Sequence, residues 1–399
     1  MSAVAERAPD AALGPDLVEL LSDRELIVCC GSGGVGKTTV SAALALGLVE
    51  AYDLRVMVLT VDPARRLASA LGIGTMGIDP VVVSRSRLRR AGIRPRGELV
   101  AAMLDTKSSW DRLVERHAPS RRSAERILAN PFYAGISDAF VGGSEYMAME
   151  SVYELHQSRE YDLVVVDTPP SRNALDFLEA PSRMSDFVGG RLLSWLARPT
   201  RAGWRAVNLA ATPFVRMADR LLGSEVLAEL AEFVRELQGL YSGVQAQARE
   251  VEKLMRSPAA AFVVVTTLEP QPFAEAEFFC SKLREYGMPL RGLVVNRTLP
   301  PALVDTAAAA AAEAMVERDR ARATALSEAV GERVAPETVR RLGEAWLTLH
   351  RLAVVNERQV VRLRGFEALP VGRIALADRE VVDIEGLSQL IGGLRGTRQ

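Results

Sequence analysis

Three cysteines and three histidines in 399 residues leave little material for a metal centre or a disulfide framework. Cys29, Cys30 and Cys280 form no C-x-x-C pair, and His117, His156 and His350 stand far apart in the chain, so no zinc site is expected. Cys29 and Cys30 lie side by side in an apolar run, where a free thiol behaves as a small core residue. Lysine is scarce too: Lys37, Lys107, Lys253 and Lys282 stand alone, the other basic residues being arginine. A formal net charge of −1 gives no electrostatic case for nucleic acid or an anionic membrane. No apolar run approaches the ~18 residues of a membrane-spanning helix, and no signal-peptide pattern opens the chain. The expectation is a soluble, cytoplasmic protein whose 48% apolar content supports a large core and two or three domains.

Against these absences stands Gly31-Ser32-Gly33-Gly34-Val35-Gly36-Lys37-Thr38-Thr39, which fits the phosphate-binding pattern G-x-x-x-x-G-K-[ST]. Glycines let backbone N–H groups turn inward around a phosphate, and a following helix aims its N-terminus at the same anion. Lys37 adds a mobile positive charge, and Thr38 offers the hydroxyl that Mg²⁺ takes into its shell. The context agrees: Leu26–Cys30 is a continuous apolar run read as a buried strand, and Val40, Leu44 and Leu48 recur at helical spacing after the loop.

A second strand, Leu54–Val61, ends in Asp62-Pro63-Ala64-Arg65-Arg66. A carboxylate at the C-terminal end of a parallel strand lies on the ligand-binding edge, although Asp62 also suits a helix N-cap. Leu163–Val166 runs into Asp167-Thr168-Pro169-Pro170. Four apolar residues before an aspartate is the Walker B form, and beside a P-loop it assigns Asp167 to Mg²⁺ rather than to a plain strand end. Further strands are read at Phe262–Thr267, Leu293–Arg297 and Arg373–Leu376. Arg85, Arg87, Arg89, Arg90, Arg94 and Arg96 lack aromatic interleaving and read as a solvated connection.

Helical patterns fill 98–158 and 176–256; the second, rich in apolar residues such as Phe187, Trp195 and Leu230, reads either as core or as a groove for an apolar client helix. An alanine-rich helix starts near Ala307, one or two helices fill 336–362, and Ile384–Leu394 traces an amphipathic C-terminal helix without a basic stripe, expected to pack on the core. The fold class is therefore α/β, a P-loop NTPase with a mainly parallel sheet flanked by helices and an α-helical insertion subdomain. The expected divisions are a flexible leader at 1–16, a core of 17–97, 159–175 and 257–399, and an insertion of 98–158 and 176–256.

Taken together, GSGGVGKTT at 31–39, DPARRLASALG at 62–72, SEYMAMESVYEL at 144–155 and DTPPSRNALDFL at 167–178 resemble the ArsA family of the deviant Walker A class. That family includes arsenite-pump ATPases and the tail-anchored-protein targeting ATPase. LDTK at 104–107 and VVNR at 294–297 are similar to the actinobacterial ArsA-like ATPases, which occur as neighbouring paralogues. The resemblance spans 24 to about 390 and is weakest in the leader and over 185–255. It implies a Mg²⁺-dependent ATPase in which Gly33, Gly34, Val35, Gly36, Lys37 and Thr39 hold the phosphates of ATP and Thr38 binds Mg²⁺. Asp62, with Lys37, would be catalytic, polarising the attacking water. Asp167 would anchor Mg²⁺ and the second switch, with Thr168, Pro169 and Pro170 moving as nucleotide state changes. Asn296 would read the adenine edge, with Arg297 beside it. Two such cores would face one another across ATP, and hydrolysis would remake a hydrophobic groove for a client such as a membrane-protein segment.

Two departures from the family pattern stand out. The family loop reads G-K-G-G-x-G-K-[ST], its first lysine reaching the other subunit's phosphates; here that position is Ser32. The expectation is a heterodimer with an ArsA-like paralogue that supplies the lysine, Arg65 or Arg66 being a weaker substitute and a homodimer the alternative assembly. The other departure is Asn173, where many relatives have histidine. The cysteine pair that clamps zinc in the eukaryotic relatives is missing. Two other readings remain: a weakly active, regulatory ATP-binding subunit, and a ParA/MinD-type positioning ATPase, against which the long helical insertion counts.

Overall fold

Eight strands hydrogen-bond into one sheet in the order β3-β4-β2-β5-β1-β6-β7-β8. In the computed structural model the described residues are 16–61, 66–74, 76, 79–133, 143–168, 179, 229, 232–233, 235–364 and 369–395. The strands are β1 Leu26–Cys30, β2 Arg55–Thr60, β3 Val81–Val82, β4 Glu98–Met103, β5 Leu163–Asp167, β6 Ala260–Thr266, β7 Leu290–Thr298 and β8 Val371–Ala375. Every neighbouring pair is parallel except β3–β4. Parallel strands covered on both faces are apolar throughout rather than alternating, and β1, β5 and β6 are buried along their whole length.

Alternate residues of β1 enter opposite cores: Leu26, Val28 and Cys30 join one, Ile27 and Cys29 the other. The second core holds α1 (Leu17–Leu21), α2 (Lys37–Ala51) and α13 (Ile384–Arg395). Ile384, Leu387, Leu390, Ile391 and Leu394 are all buried, so the C-terminal amphipathic helix packs on the core as its missing basic stripe implies. Beside them stand α3 (Arg66–Ala70) and α4 (Arg85–Arg90), the latter carrying four of the clustered arginines and burying only Leu88. The first core is covered by α5 (Thr106–His117), α6 (Arg121–Ala129), α7 (Gly143–Ser158), α8 (Tyr241–Arg256) and α9 (Pro270–Glu285). Between β7 and β8 come α10 (Thr306–Glu317), α11 (Asp319–Val330) and α12 (Pro336–Arg364). Among the described residues no helix is long and apolar enough to cross a membrane.

One boundary needs correcting. The segment from 98, expected to open the helical insertion, begins with strand β4, paired with β2 from Arg55↔Glu98 to Thr60↔Met103, and the helices start at Thr106. Leu99, Val100, Ala101 and Ala102 are buried, and a short apolar run of this kind has no periodicity to separate strand from helix. The leader through residue 15 and most of the second helical stretch, 180–228, lie outside the described residues, as do Asp62, Arg65, Pro169, Pro170 and Asn173.

The helices over the first core are tied together by a buried polar cluster. Glu150 of α7, 2% exposed, accepts hydrogen bonds from Gln247 at 2.9 Å, Arg116 at 3.4 Å and Tyr146 at 3.4 Å. Burial, reinforced by neighbouring Glu154, pushes its carboxyl up to about 7 from 4.5, outweighing the opposing pull of Arg116, Gln247 and Tyr146. The folded chain therefore keeps a proton that the unfolded chain releases between those two values, so this group lowers stability as pH rises through that window. Urea midpoints measured at about pH 5 and about pH 8 are expected to differ less in Glu150→Gln than in the native chain, with the variant gaining most at the higher pH.

Candidate functional site

The C-terminal ends of β1, β2, β5, β7 and β8 share one edge of the sheet, and the conspicuous sequence features collect there. Leaving β1, the chain turns sharply at Gly31, whose φ is +151° and where a Cβ would collide with the Val265 carbonyl of β6. It enters α2 from Gly36, at φ +93° in the left-handed region. Only glycine adopts both conformations without strain. Gly33 and Gly34 are exposed, Val35 is buried as an anchor in the second core, and Thr39 is half-buried at the start of α2. Lys37 is 6% exposed and donates from Nζ to the carbonyls of Gly31 and Ser32, both at 3.0 Å, folding back over its own loop.

Strand register sets the polar centre. Asp167 lies level with Cys29 on one side and Thr60 on the other. Its carboxylate Oδ2 accepts from the Thr38 hydroxyl at 2.7 Å and from the Thr60 hydroxyl at 2.9 Å, while the residue is wholly buried. A carboxyl group removed from water is costly unless hydrogen-bonded, and the two threonines meet that need. Thr168 donates from its hydroxyl to the Cys29 carbonyl at 2.9 Å, tying the start of the next segment to the strand before the P-loop. The Thr38 hydroxyl and the Asp167 carboxylate are hard oxygen donors beside a phosphate-type loop, the ligand chemistry that suits Mg²⁺. Cys29, one residue from the loop, is no nucleophile: burial pushes its thiol up to about 12.

Asn296, at the end of β7, donates from Nδ2 to the Val35 carbonyl at 2.8 Å, and its Oδ1 accepts from the Arg297 N–H at 2.9 Å. The amide thus braces the P-loop, and a Cβ at Gly36 would run into it. Arg297 is exposed at φ +58°, inside β7 where its register with β8 shifts between Val295 and Thr298.

These groups open into a cavity of about 1050 Å³. Gly34, Gly36, Lys37 and Thr38 line it together with Asn296, Arg297 and the segment 376–382 after β8. The part lined by 376–382 was not foreseen from sequence. Its signal is positional: like Asp62 and Asp167, the segment follows the C-terminal end of a parallel strand. Arg66, at the start of α3, also reaches the cavity, whereas Asp62, Pro169 and Pro170 fall outside the described residues.

Known proteins share this arrangement in sequence. The profile of the family described as anion-transporting ATPases (ArsA_ATPase) matches residues 24–324. The chain is 27% identical to ATPase GET3 of Malassezia globosa over 299 residues, 73% of this chain and 78% of that protein. It is 26% identical over 275 residues to a putative arsenical pump-driving ATPase 2 of Aquifex aeolicus, covering 68% and 79%. A third relative, ATPase get3 of Aspergillus terreus, is 25% identical over 303 residues, covering 75% and 82%.

Gly36→Ala places a methyl group against the Asn296 amide at a left-handed position. Fluorescent-nucleotide titration is expected to show affinity reduced by about tenfold or more, with the circular dichroism of the fold retained.

Proposed function

The chain belongs to the anion-transporting ATPase (ArsA) family, and from that premise we propose that it is the ATP-binding, switch-bearing subunit of a dimeric ATPase that handles an apolar client. The observation that carries this reading is the convergence of the Thr38 and Thr60 hydroxyls on Asp167 beneath the P-loop. The family uses ATP and Mg²⁺. In this chain the nitrogen-rich mouth of the loop and Lys37 would take the phosphates, Thr38 and Asp167 would hold Mg²⁺, and the metal would offset phosphate charge. Asp62 is proposed as the residue that orients the attacking water. Asp167 and Thr168 would pass the nucleotide state to Pro169 and Pro170. The base would lie towards Asn296, Arg297 and the 376–382 wall, where Asn296 keeps one amide hydrogen beyond its bond to Val35.

The proposed assembly is asymmetric. Ser32 occupies the position at which the family pattern has a lysine for the other subunit, and its hydroxyl is buried in the loop without a hydrogen-bond partner among the described residues. Such a side chain is too short to reach a neighbouring phosphate. A paralogue with the intact lysine would supply the charge that this chain does not return, an effect worth ~10³-fold or more for charges donated in trans. The intact Lys37, Thr38 and Asp167 speak against a purely structural subunit. The client surface is proposed on the segment 176–256, as a groove remade on hydrolysis.

Phosphate release by the purified chain tests the proposal. Turnover is expected to be slow alone, to rise about a hundredfold or more in Ser32→Lys or on mixing with the lysine-bearing paralogue, and to vanish in Lys37→Ala. Full turnover by the chain alone, unchanged in Ser32→Lys, would contradict the asymmetric assembly while leaving the ATPase itself standing.

A further inference from the structure

Among the described residues Lys37, Arg66, Arg297 and Arg379 are the cationic side chains that line the cavity. Lys37 rests on the carbonyls of Gly31 and Ser32. Arg297 belongs to β7 and Arg379 to the segment after β8, where Asp378 and Glu380 flank it in sequence and line the same cavity. Arg66 arrives from elsewhere. The sheet order sets β5 and β2 on one side of β1, and β6, β7 and β8 on the other. The P-loop that follows β1 therefore separates the chain leaving β2, which carries Arg66, from the chain leaving β8.

Local packing turns Arg66 towards that loop. Leu67, Ala68 and Leu71 are buried in the second core, so one face of α3 and the residue after it is anchored. Arg66, Ser69 and Ala70, three and four positions apart, share the other face and line the cavity with Lys37 and Thr38. The strand that feeds α3 ends in Thr60, whose hydroxyl meets Asp167 Oδ2 beside the Thr38 hydroxyl. The root of α3 is thus tied to the pair proposed to hold Mg²⁺. Arg66 is exposed, and among the described residues no carboxylate pairs with it and no hydrogen bond holds it.

We propose that Arg66 is a catalytic residue that donates to the terminal phosphate of ATP within its own subunit, supplying in cis a positive charge that Ser32 cannot. The assignment rests on the proposed ATPase reading and names a residue inside it. A guanidinium presents a planar fork of N–H donors that matches phosphate oxygens, and it stays protonated. As the water oxygen bonds to the γ-phosphorus, the bond to the bridging oxygen breaks and ADP leaves with its electron pair. One water proton stays on the phosphate product and the other goes to solvent. Arg66 exchanges no proton; it offsets the negative charge of the transferring group. Turnover by the chain alone, before any lysine arrives from a partner, would depend on it.

Calorimetric titration of the full chain with ADP and Mg²⁺, with and without aluminium fluoride as a mimic of the transferring phosphoryl group, tests the assignment. The native chain is expected to bind ADP about tenfold or more tightly when aluminium fluoride is present. Arg66→Ala is expected to lose that gain while keeping its affinity for ADP alone and its circular dichroism, and Arg66→Lys to recover part of it. In phosphate release, Arg66→Ala is expected to lower kcat about tenfold or more with KM nearly unchanged. A native chain that gains nothing from aluminium fluoride, an Arg66→Ala variant that keeps the gain, or one whose affinity for ADP alone falls as far would each overturn the proposal. With ADP still bound by the native chain and turnover still lost in Lys37→Ala, those results would leave the ATPase standing. A native chain that binds no ADP would sink the ATPase reading and this assignment with it.

Discussion

The buried carboxylate of Asp167 fixes the geometry of the whole nucleotide edge. It sits at the end of β5, between β1 and β2, and accepts from hydroxyls delivered by the first turn of α2 and the last residue of β2. The first turn of α2 is also the end of the P-loop. One acceptor therefore registers the loop, the helix behind it and two strands against each other. A carboxyl group wholly out of water is tolerated only with such donors, which Thr38 and Thr60 supply.

Around that centre the loop is braced from the other side. Asn296 reaches across from β7 to the Val35 carbonyl, while Val35 itself is rooted in the core. The P-loop is thus gripped at its base by Asp167 through Thr38 and near its apex by Asn296. Between the two grips Lys37 rests on the carbonyls of Gly31 and Ser32. On the proposed function, such a braced loop would hold its shape around phosphate oxygens, with Lys37 exchanging its two carbonyl partners for them. Asn296 accordingly has a structural duty in addition to any contact with a base.

The glycine loop, the apolar runs ending in Asp62 and Asp167, and the helical spacing of Val40, Leu44 and Leu48 were enough to place the sheet and the P-loop. β4 was not legible, because Leu99–Ala102 is apolar on both faces and carries no period. The two-residue strand β3 is too short to leave any pattern. The part of the cavity lined by 376–382 escaped because Asp378, Arg379 and Glu380 fit no motif of fixed spacing; their place after a parallel strand is the signal. The Asn296–Val35 bond joins residues 261 positions apart, a long-range pairing that no local signal announces.

The central claim is that the Thr38–Asp167 pair and the P-loop together form a metal-assisted nucleotide site. Calorimetric titration of the purified chain with ATP, in Mg²⁺ and again with the metal chelated, addresses it most directly. The account predicts saturable binding of one nucleotide per chain, weakened when Mg²⁺ is removed. Absence of binding, or binding indifferent to the metal, would contradict it.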